Sequence, residues 1–292
     1  MANERSKLAL GTVQFGLDYG VSNSGGKVPI TIVRNILKLC LEQNITTLDT
    51  AAAYGDSEAV IGKSLANEDN SFQIISKLPN CSTAEVRTIF NNSLQELKKN
   101  KIFGYLIHDY SAFTKDPGIF DEIYKLQQEG LIQKIGFSLY YPPHLEEIIK
   151  LNLPIQLIQI PFNVFDQRFA YLFPYLNKND IEIHIRSIFL QGLLFKEIAT
   201  LPPYFHPFRE NLLFLQEVVK QSGLSLSHVL LAFAHLHPEI SKIVVGVTSM
   251  EELAHNSNYL NVLTDIKPIY HTLKKMATFD ERFLLPFNWQ LS

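Results

Sequence analysis

Short runs of β-branched and other apolar residues recur along the chain, separated by stretches whose apolar residues stand three or four positions apart. The first pattern is typical of buried strands and the second of amphipathic helices. Together they predict strands at 7–11, 45–48, 72–77, 103–107, 132–138, 155–160, 181–185 and 242–245. Helices are predicted at 29–43, 57–65, 83–97, 117–129, 142–151, 169–177, 209–221, 225–235 and 250–259.

The alternation of strand and helix predicts the fold class. Alternating strands and helices favour parallel pairing, and eight such strands predict a closed barrel. We therefore expect an α/β protein with the (β/α)8 TIM-barrel fold, in one domain over residues 1–292, since such a barrel takes about 250 residues. The segment after Ile266 is rich in aromatic residues and proline, and we expect it to pack as a C-terminal tail over the barrel mouth.

Composition narrows the possible partners. The chain has 292 residues and a net charge of −3, with no long basic run, so nucleic acid is not an expected partner. Cys40 and Cys81 show neither the spacing of a metal site nor a disulfide framework. The N-terminal residues MANERSKLAL contain no signal peptide and no membrane span, so we expect a cytoplasmic protein that does not contact a membrane.

Polar residues follow the predicted strands. Asp49 stands at the end of its strand and Tyr54 follows it closely, Lys77 ends the next strand, and His108 follows the fourth. An α/β barrel brings all its strand ends to one face, where residues distant in sequence meet. A buried lysine needs a partner for its charge, and Asp49 is the candidate.

Several segments in this order resemble the aldo-keto reductase family. They are GT with FG at 11–16, DTAAAYGDSEAVIG at 49–62, SK at 76–77, LIH at 106–108, IGFS at 135–138, QIPFNVFDQR at 159–168, RSIFLQGLL at 186–194 and VVGVTSMEELAHN at 244–256. The resemblance implies a (β/α)8 barrel, a nicotinamide cofactor, and a catalytic tetrad of Asp49, Tyr54, Lys77 and His108. It also implies a cofactor site formed by Gly11, Thr12, Asp49, Ser138, Gln159, Arg186, Ser187, Gly246, Thr248, Ser249, Glu252 and Asn256.

Departures from the family pattern bear on the cofactor. Arg186 stands where an aromatic residue often stacks on the nicotinamide, and Leu139 where asparagine often holds its carboxamide. Glu252 occupies a position that is arginine or glutamine elsewhere in the family, and a carboxylate there would repel the 2′-phosphate of NADPH. The hydroxyl and amide groups near Ser249, at a predicted helix N-terminus, could still bind that phosphate. We therefore expect either NADP(H) or NAD(H) as cofactor, with weak preference for the phosphorylated form.

The tetrad suits the reduction of a carbonyl group, which needs a hydride on carbon and a proton on oxygen. A tyrosine keeps its proton at neutral pH, with an ordinary pKa near ~10. A cation about 4 Å away contributes roughly 4 kcal/mol at an effective dielectric constant of ~20, so we expect Lys77 to lower the pKa of Tyr54. In this interpretation Tyr54 donates the proton, Asp49 holds Lys77, and His108 orients the substrate.

Other functions stay open at this stage. A regulatory subunit that binds nicotinamide but turns over slowly would keep the same fold. A barrel aldolase would use Lys77 as a Schiff base, although the partner Asp49 argues against a neutral amine. The segment Gly62-Lys63-Ser64 resembles part of a phosphate-binding loop but lacks its first glycine. His235 and His237 are expected at a helix end or at the surface rather than in a metal site.

The substrate is expected to be a small molecule with an aldehyde or ketone group, and the protein a monomer or small homo-oligomer. The start GTVQFGLDYG and the PFNW tail resemble bacterial family members associated with surface-polysaccharide biosynthesis, which implies a sugar-like or nucleotide-sugar carbonyl. The segments 190–208 and 279–289 are the expected walls of the substrate site.

Overall fold

The computed structural model describes residues 5–21, 23, 25–65 and 72–290. Within these residues, eight parallel strands form a closed barrel in chain order, with β8 pairing back to β1. The strands are β1 (Leu8–Gly11), β2 (Thr47–Asp49), β3 (Gln73–Leu78), β4 (Ile102–Ile107), β5 (Ile132–Ser138), β6 (Leu157–Pro161), β7 (Glu182–Arg186) and β8 (Ile240–Gly246). The expected (β/α)8 TIM barrel is confirmed.

Helices surround this barrel. They are α1 (Val13–Gly16), α2 (Ile30–Glu42), α3 (Ser57–Ser64), α4 (Val86–Leu97), α5 (Tyr110–Lys115), α6 (Gly118–Gln128), α7 (Pro142–Lys150), α8 (Phe173–Lys178), α9 (Arg209–Ser222), α10 (Leu226–His235), α11 (Met250–Ser257), α12 (Lys267–Lys274) and α13 (Glu281–Leu284). Short 3₁₀ turns lie at Thr83–Glu85, Ala170–Leu172, Leu190–Phe195, Ile198–Thr200, Pro203–Phe208, Asn258–Val262 and Pro286–Asn288. None of the helices that the structure describes is both long and apolar enough to cross a membrane.

Burial on both faces explains why the strands read as nearly continuous apolar runs. All five residues of β6 are buried, with side chains alternately toward the helices and toward the barrel interior. Gly62 lies within α3, where an added Cβ would stand 2.0 Å from the carbonyl oxygen of Glu96 in α4. Its role is close packing, which accounts for the glycine without a phosphate-binding loop.

Two histidines are more buried than the sequence predicted. His235 is the last residue of α10 and His237 lies two residues beyond it, so both are at a helix end, as one of the two expectations had it. They are 8% and 9% exposed, so neither lies at the surface. His235 lies 2.8 Å from the hydroxyl of Tyr259, and His237 lies 3.2 Å from that of Tyr270. Tyr259 and Tyr270 belong to C-terminal helical segments that pack over these histidines. The local sequence pattern does not show where those segments pack.

The C-terminal tail packs against the barrel, as expected. Phe283, Leu284 and Leu285 are fully buried, and Trp289 packs edge-on against Phe205 at 4.9 Å between ring centroids. An ion pair of 3.3 Å between Arg168 and Glu281 ties the tail to the loop after β6. The tail therefore lies on the side of the barrel where the strands end.

Candidate active site

Asp49 and Lys77 form a buried ion pair at the ends of β2 and β3. The Lys77 Nζ donates hydrogen bonds to Asp49 Oδ2 at 2.7 Å and to the carbonyl oxygen of Thr50 at 2.8 Å. The other carboxylate oxygen of Asp49 accepts from Gln159 Nε2 at 2.6 Å. The Lys77 side chain is 0% exposed and that of Asp49 is 5% exposed, so the ion pair is largely shielded from solvent.

Tyr54 and His108 complete the cluster. The Tyr54 hydroxyl is 3.4 Å from Lys77 Nζ, and its ring meets the His108 ring edge-on at 5.8 Å between centroids. Because Gly16 and Gly55 have no side chains, the loop that carries Tyr54 can approach α1 closely. A Cβ on Gly16 would stand 1.8 Å from the carbonyl oxygen of Tyr54. The structure thus brings all four predicted tetrad residues together.

The expected effect of Lys77 on Tyr54 is corrected. Burial raises the pKa of Tyr54 well above its ordinary value, and the negative charge of Asp49 raises it further. Burial also lowers the pKa of Lys77, against the opposing effect of Asp49. Because Lys77 makes its short hydrogen bonds to Asp49 and Thr50 and only a long one to Tyr54, it does not outweigh these effects while the phenol is neutral. Tyr54 therefore keeps its proton at neutral pH.

His108 is neutral at physiological pH. Burial, followed by the positive charges of Lys77 and Arg186, lowers the pKa of His108 to about 4. A neutral imidazole offers one N–H donor and one acceptor. His108 can therefore donate a hydrogen bond to a carbonyl oxygen without carrying charge.

A cavity of about 1050 Å³ extends from this cluster across the barrel mouth. Asp49, Tyr54 and His108 line one end, and Thr248, Glu252 and Asn256 line the other. Between them the lining includes the predicted residues Gly11, Thr12, Arg186, Ser187 and Gly246. The cavity is thus long enough to join the tetrad to the N-terminus of α11.

Four predicted site residues do not line this cavity. Lys77 and Gln159 are fully buried beneath it, where Gln159 holds Asp49. Ser138 is 3% exposed at the end of β5. The Ser249 hydroxyl caps α11 by accepting from the backbone N–H of Glu252 at 3.2 Å, so it is already used by the chain itself.

At the far end, a carboxylate occupies the N-terminus of α11. Glu252 Oε2 accepts from the backbone N–H of Thr248 at 2.7 Å and from its hydroxyl at 3.1 Å. Beside it, hydrogen bonds at the same helix end, including one from the Ser249 hydroxyl, lower the pKa of Glu251. Backbone donors that would attract a phosphate are therefore partly taken by the chain's own acids.

Arg186 packs against Tyr140, which sequence reasoning missed. The guanidinium carbon lies 3.9 Å from the Tyr140 ring centroid, and Nη2 donates to the carbonyl oxygen of Leu139 at 3.0 Å. Tyr140 lies two residues past the end of β5, and an aromatic residue so close to a strand end is the signal that could have found it. Arg186 is thus held over one wall of the cavity.

The loop after β1 also contributes residues that were not predicted. Tyr19 accepts a hydrogen bond from Gln191 Nε2 at 2.8 Å, and the N–H of Val21 donates to the carbonyl oxygen of Gln191 at 3.0 Å. Burial, with the neighbouring Tyr140 and Tyr54, raises the pKa of Tyr19 to about 12. These contacts join two loops across the cavity, and no local sequence pattern predicts that these loops meet.

Comparison with known proteins identifies relatives of this chain. The model of the Aldo/keto reductase family matches residues 7–271. The chain is 24% identical to an uncharacterised oxidoreductase, YqkF, of Bacillus subtilis, over 78% of this chain and 81% of that protein. It is 23% identical to the L-galactose dehydrogenase of Arabidopsis thaliana, over 86% and 84%. The holo form of an aldo-keto reductase from Bacillus halodurans superposes with a TM-score of 0.77, at 21% identity over 94% of both chains.

The family match extends over nearly the whole barrel, from the residue before β1 to within α12. The matched residues include the four tetrad positions and both ends of the cavity. This chain therefore belongs to the aldo/keto reductase family of oxidoreductases.

Proposed function

We propose that this protein reduces an aldehyde or ketone to an alcohol with a nicotinamide cofactor, NADPH or NADH, and that Tyr54 donates the proton. The observation that carries the proposal is the hydrogen-bonded series from Asp49 through Lys77 to Tyr54, with His108 beside it at the end of a long cavity. A buried acid, a cation and a phenol at one strand-end cluster suit general acid catalysis.

The cavity fits a dinucleotide. Its volume of about 1050 Å³ lies at the upper end of usual small-molecule sites. Gly11 and Gly246 lie in its lining without side chains, and Ser187 and Asn256 offer polar groups along its length. When bound, the reduced nicotinamide would supply the hydride.

The chain's own residues would then do three things. His108 would donate its N–H to the carbonyl oxygen and so fix the reacting carbon. Tyr54 would transfer its proton to that oxygen as negative charge develops. Lys77 would stabilise the phenolate that forms, while Asp49 holds Lys77 in place.

The exposed acids at α11 support weak selectivity between NADPH and NADH. A 2′-phosphate near Thr248 would meet the carboxylate of Glu252, which already accepts hydrogen bonds from Thr248. The negative charges of the phosphate and of the Glu252 carboxylate would repel each other, although screening by salt limits this repulsion. We expect less than a hundredfold preference for NADPH, about 2.7 kcal/mol.

For the substrate we propose a small, sugar-like carbonyl compound. Tyr19, Gln191 and Tyr140 place hydroxyl and amide groups around the mouth, which suits a polyhydroxylated molecule. One relative of the chain is named for oxidising L-galactose, and the same chemistry in reverse reduces a sugar-derived carbonyl.

A panel of aldehydes, ketones and sugar-derived carbonyls, assayed with NADPH and with NADH, tests this proposal. With the wild type, we expect absorbance at the nicotinamide band to fall for at least one carbonyl. With Tyr54→Phe, this decrease in absorbance should be largely abolished. Tight cofactor binding without turnover in both proteins would instead identify a binding subunit with the reductase fold.

A further inference from the structure

Polar side chains continue below the Asp49–Lys77 pair into the barrel interior. Gln159 on β6 is the register partner of His184 on β7, and Thr47 stands two residues before Asp49 on β2. Thr47 and Gln159 are fully buried and His184 is 1% exposed. A TIM-barrel interior is usually filled with branched apolar residues, so these three side chains need an explanation.

Several polar atoms of this group have no protein partner. They are Thr47 Oγ1, Gln159 Oε1, and both ring nitrogens of His184. His184 Nε2 lies 3.4 Å from Glu182 Oε2, without the alignment of a direct hydrogen bond. Buried polar atoms in folded proteins nearly always find a partner, and buried water supplies one where the site is polar and roomy.

The residues that share a layer of the barrel interior with His184 are apolar. Alternate strands supply each layer of a barrel interior, and the register sets Ala9 (β1), Ile75 (β3) and Gly136 (β5) at the level of His184 (β7). Two of these four side chains are no larger than a methyl group. At Gly136 the backbone of Leu157 already fills the position that a Cβ would take, so the small residue reflects close packing. The layer offers His184 no polar side chain, and water is the partner that remains for its two ring nitrogens.

Charged groups stand below this layer, at the face of the barrel where the strands begin. Glu182 pairs with Lys134 at 2.8 Å, with side chains 31% and 23% exposed. Lys242 is the register partner of His184 on β8, and burial lowers its pKa. The polar series thus extends from solvent at one barrel face, through His184 and Gln159, to Asp49 and Lys77 at the other.

We propose that this series is a hydrated proton path, in which His184 passes protons from the Glu182 end of the barrel to the Asp49–Lys77 pair. The proposal rests on the reductase function proposed above. His184 acts through Asp49 and Lys77 and does not touch the substrate. The path would supply the proton of each turnover from the face opposite the cavity.

The proton balance is as follows. Each reduction forms a C–H bond from the hydride and an O–H bond from the Tyr54 proton, while the C=O π bond is lost. The Tyr54 phenolate then takes a proton from Lys77 Nζ, and Lys77 regains one through Asp49. One proton from solvent enters at Glu182 and is handed on by His184 through water, so the protein returns to its starting state.

The state of His184 suits this role. Burial lowers its pKa, against the opposing effects of Glu182 and Asp49, so the ring is neutral at physiological pH. A neutral ring can accept a proton at one nitrogen while it gives one up from the other. Below the catalytic floor, neither Gln159 nor Thr47 can do this, because their side chains do not titrate in the physiological range.

Hydration is tested without any turnover. A high-resolution crystal structure of the wild type should contain ordered water within hydrogen-bonding distance of both His184 and Gln159 Oε1. His184→Leu should lack that water, and His184→Gln should keep it. A dry, close-packed interior around His184 in the wild type would overturn the proposal.

The relay is tested by stopped-flow mixing with 4-nitrobenzaldehyde and reduced cofactor in weak buffer with a pH indicator. In the wild type, proton uptake should coincide with cofactor oxidation. In His184→Leu and His184→Gln, hydride transfer should persist, while proton uptake should slow by about 10²-fold, the lower end for a positioned proton-transfer group. Ile75→Leu, a volume-conserving change in the same layer, is the matched control and should leave both rates unchanged.

The outcomes separate this proposal from the function on which it rests. Equal proton uptake in the wild type and His184→Leu would overturn the path while leaving the reductase function intact. Full recovery of uptake in His184→Gln would overturn the relay role, since glutamine restores hydration alone. Absence of cofactor oxidation by the wild type with every carbonyl tested would overturn the reductase function, and the relay would fall with it.

Discussion

The two ends of the cavity are built from different parts of the fold. At the catalytic floor, Asp49 and Lys77 lie on neighbouring strands, buried and paired at 2.7 Å. At the far end, Thr248 and Glu252 belong to a loop and the exposed first turn of α11. Electrostatic interactions are stronger and less screened at the buried end. Changes at the floor should therefore abolish the reaction, whereas changes at the far end should only retune the choice of cofactor.

The largest effect is expected from Lys77→Met. It removes the cation that stabilises the phenolate of Tyr54, so kcat/KM should fall by about 10²–10⁴. It also leaves Asp49 buried without its charge partner, which should lower the free energy of unfolding by about 3–5 kcal/mol. Steady-state kinetics and urea unfolding measure the two losses.

The double variant Asp49→Asn/Lys77→Met is the control for stability. It removes both charges, so it should recover much of the free energy of unfolding while activity stays low. A Lys77→Met protein as stable and as active as the wild type would show that the floor is not organised by this ion pair.

The pH dependence of stability tests whether the surroundings of His108 at the catalytic floor keep its ring neutral. Its folded pKa is lowered to about 4, below its ordinary value of 6.5. Between these values the unfolded chain binds a proton that the folded protein does not, so stability should rise with pH across this window and fall on acidification. His108→Gln should flatten the slope of the free energy of unfolding against pH, measured by urea unfolding. Identical slopes in the wild type and His108→Gln would contradict a partly buried His108 that stays neutral in the folded protein.

Glu252→Arg is the corresponding test at the far end. It replaces a repelling carboxylate by a cation that can hold a phosphate, and should raise the NADPH-to-NADH affinity ratio by about tenfold, or ~1.4 kcal/mol. Glu210→Arg makes the same charge change in the first turn of α9, away from the cavity, and should leave the ratio unchanged. Fluorescence titration with both cofactors gives the ratio, and an equal shift in the two variants would assign it to net charge alone.

The smallest effect is expected at the substrate wall. Removal of the chain from Phe279 onward would delete the buried Phe283, Leu284 and Leu285, so a loss of activity could reflect unfolding. Phe287→Ala is cleaner, because Phe287 meets Tyr140 edge-on at 4.9 Å and Tyr140 supports Arg186. We expect a change of a few-fold in substrate KM with the cofactor affinity unchanged. Phe279→Ala, at a side chain that is 79% exposed, should alter neither, and an equal effect of both changes would remove the tail from the wall.

The strands and the tetrad could be predicted from the sequence because both depend on short local patterns. A run such as 132–138 reads as a buried strand by its own residues, and the structure gives β5 the same bounds. Asp49 and Lys77 end neighbouring strands, so the fold alone brings them together. The expected positions of Ser138, Gln159 and Ser249 in the cavity lining came from resemblance, which does not give the direction of a side chain.

Features that depend on distant contacts could not be predicted. The pairing of Tyr19 with Gln191 joins residues 172 positions apart, through loops whose paths are set by the finished barrel. Likewise, the pKa of Tyr54 depends on how Lys77 divides its hydrogen bonds among three partners. A sequence shows that the groups are near one another but does not show which contact is shortest.

The most direct test of the account is the rate of hydride transfer in Tyr54→Phe. This change removes only the phenol hydroxyl and keeps the ring that faces His108. We predict that single-turnover cofactor oxidation falls by about 10²-fold or more, as expected for loss of a general acid, while fluorescence titration gives an unchanged cofactor affinity. Near-normal hydride transfer in Tyr54→Phe would contradict the assignment of Tyr54 as proton donor.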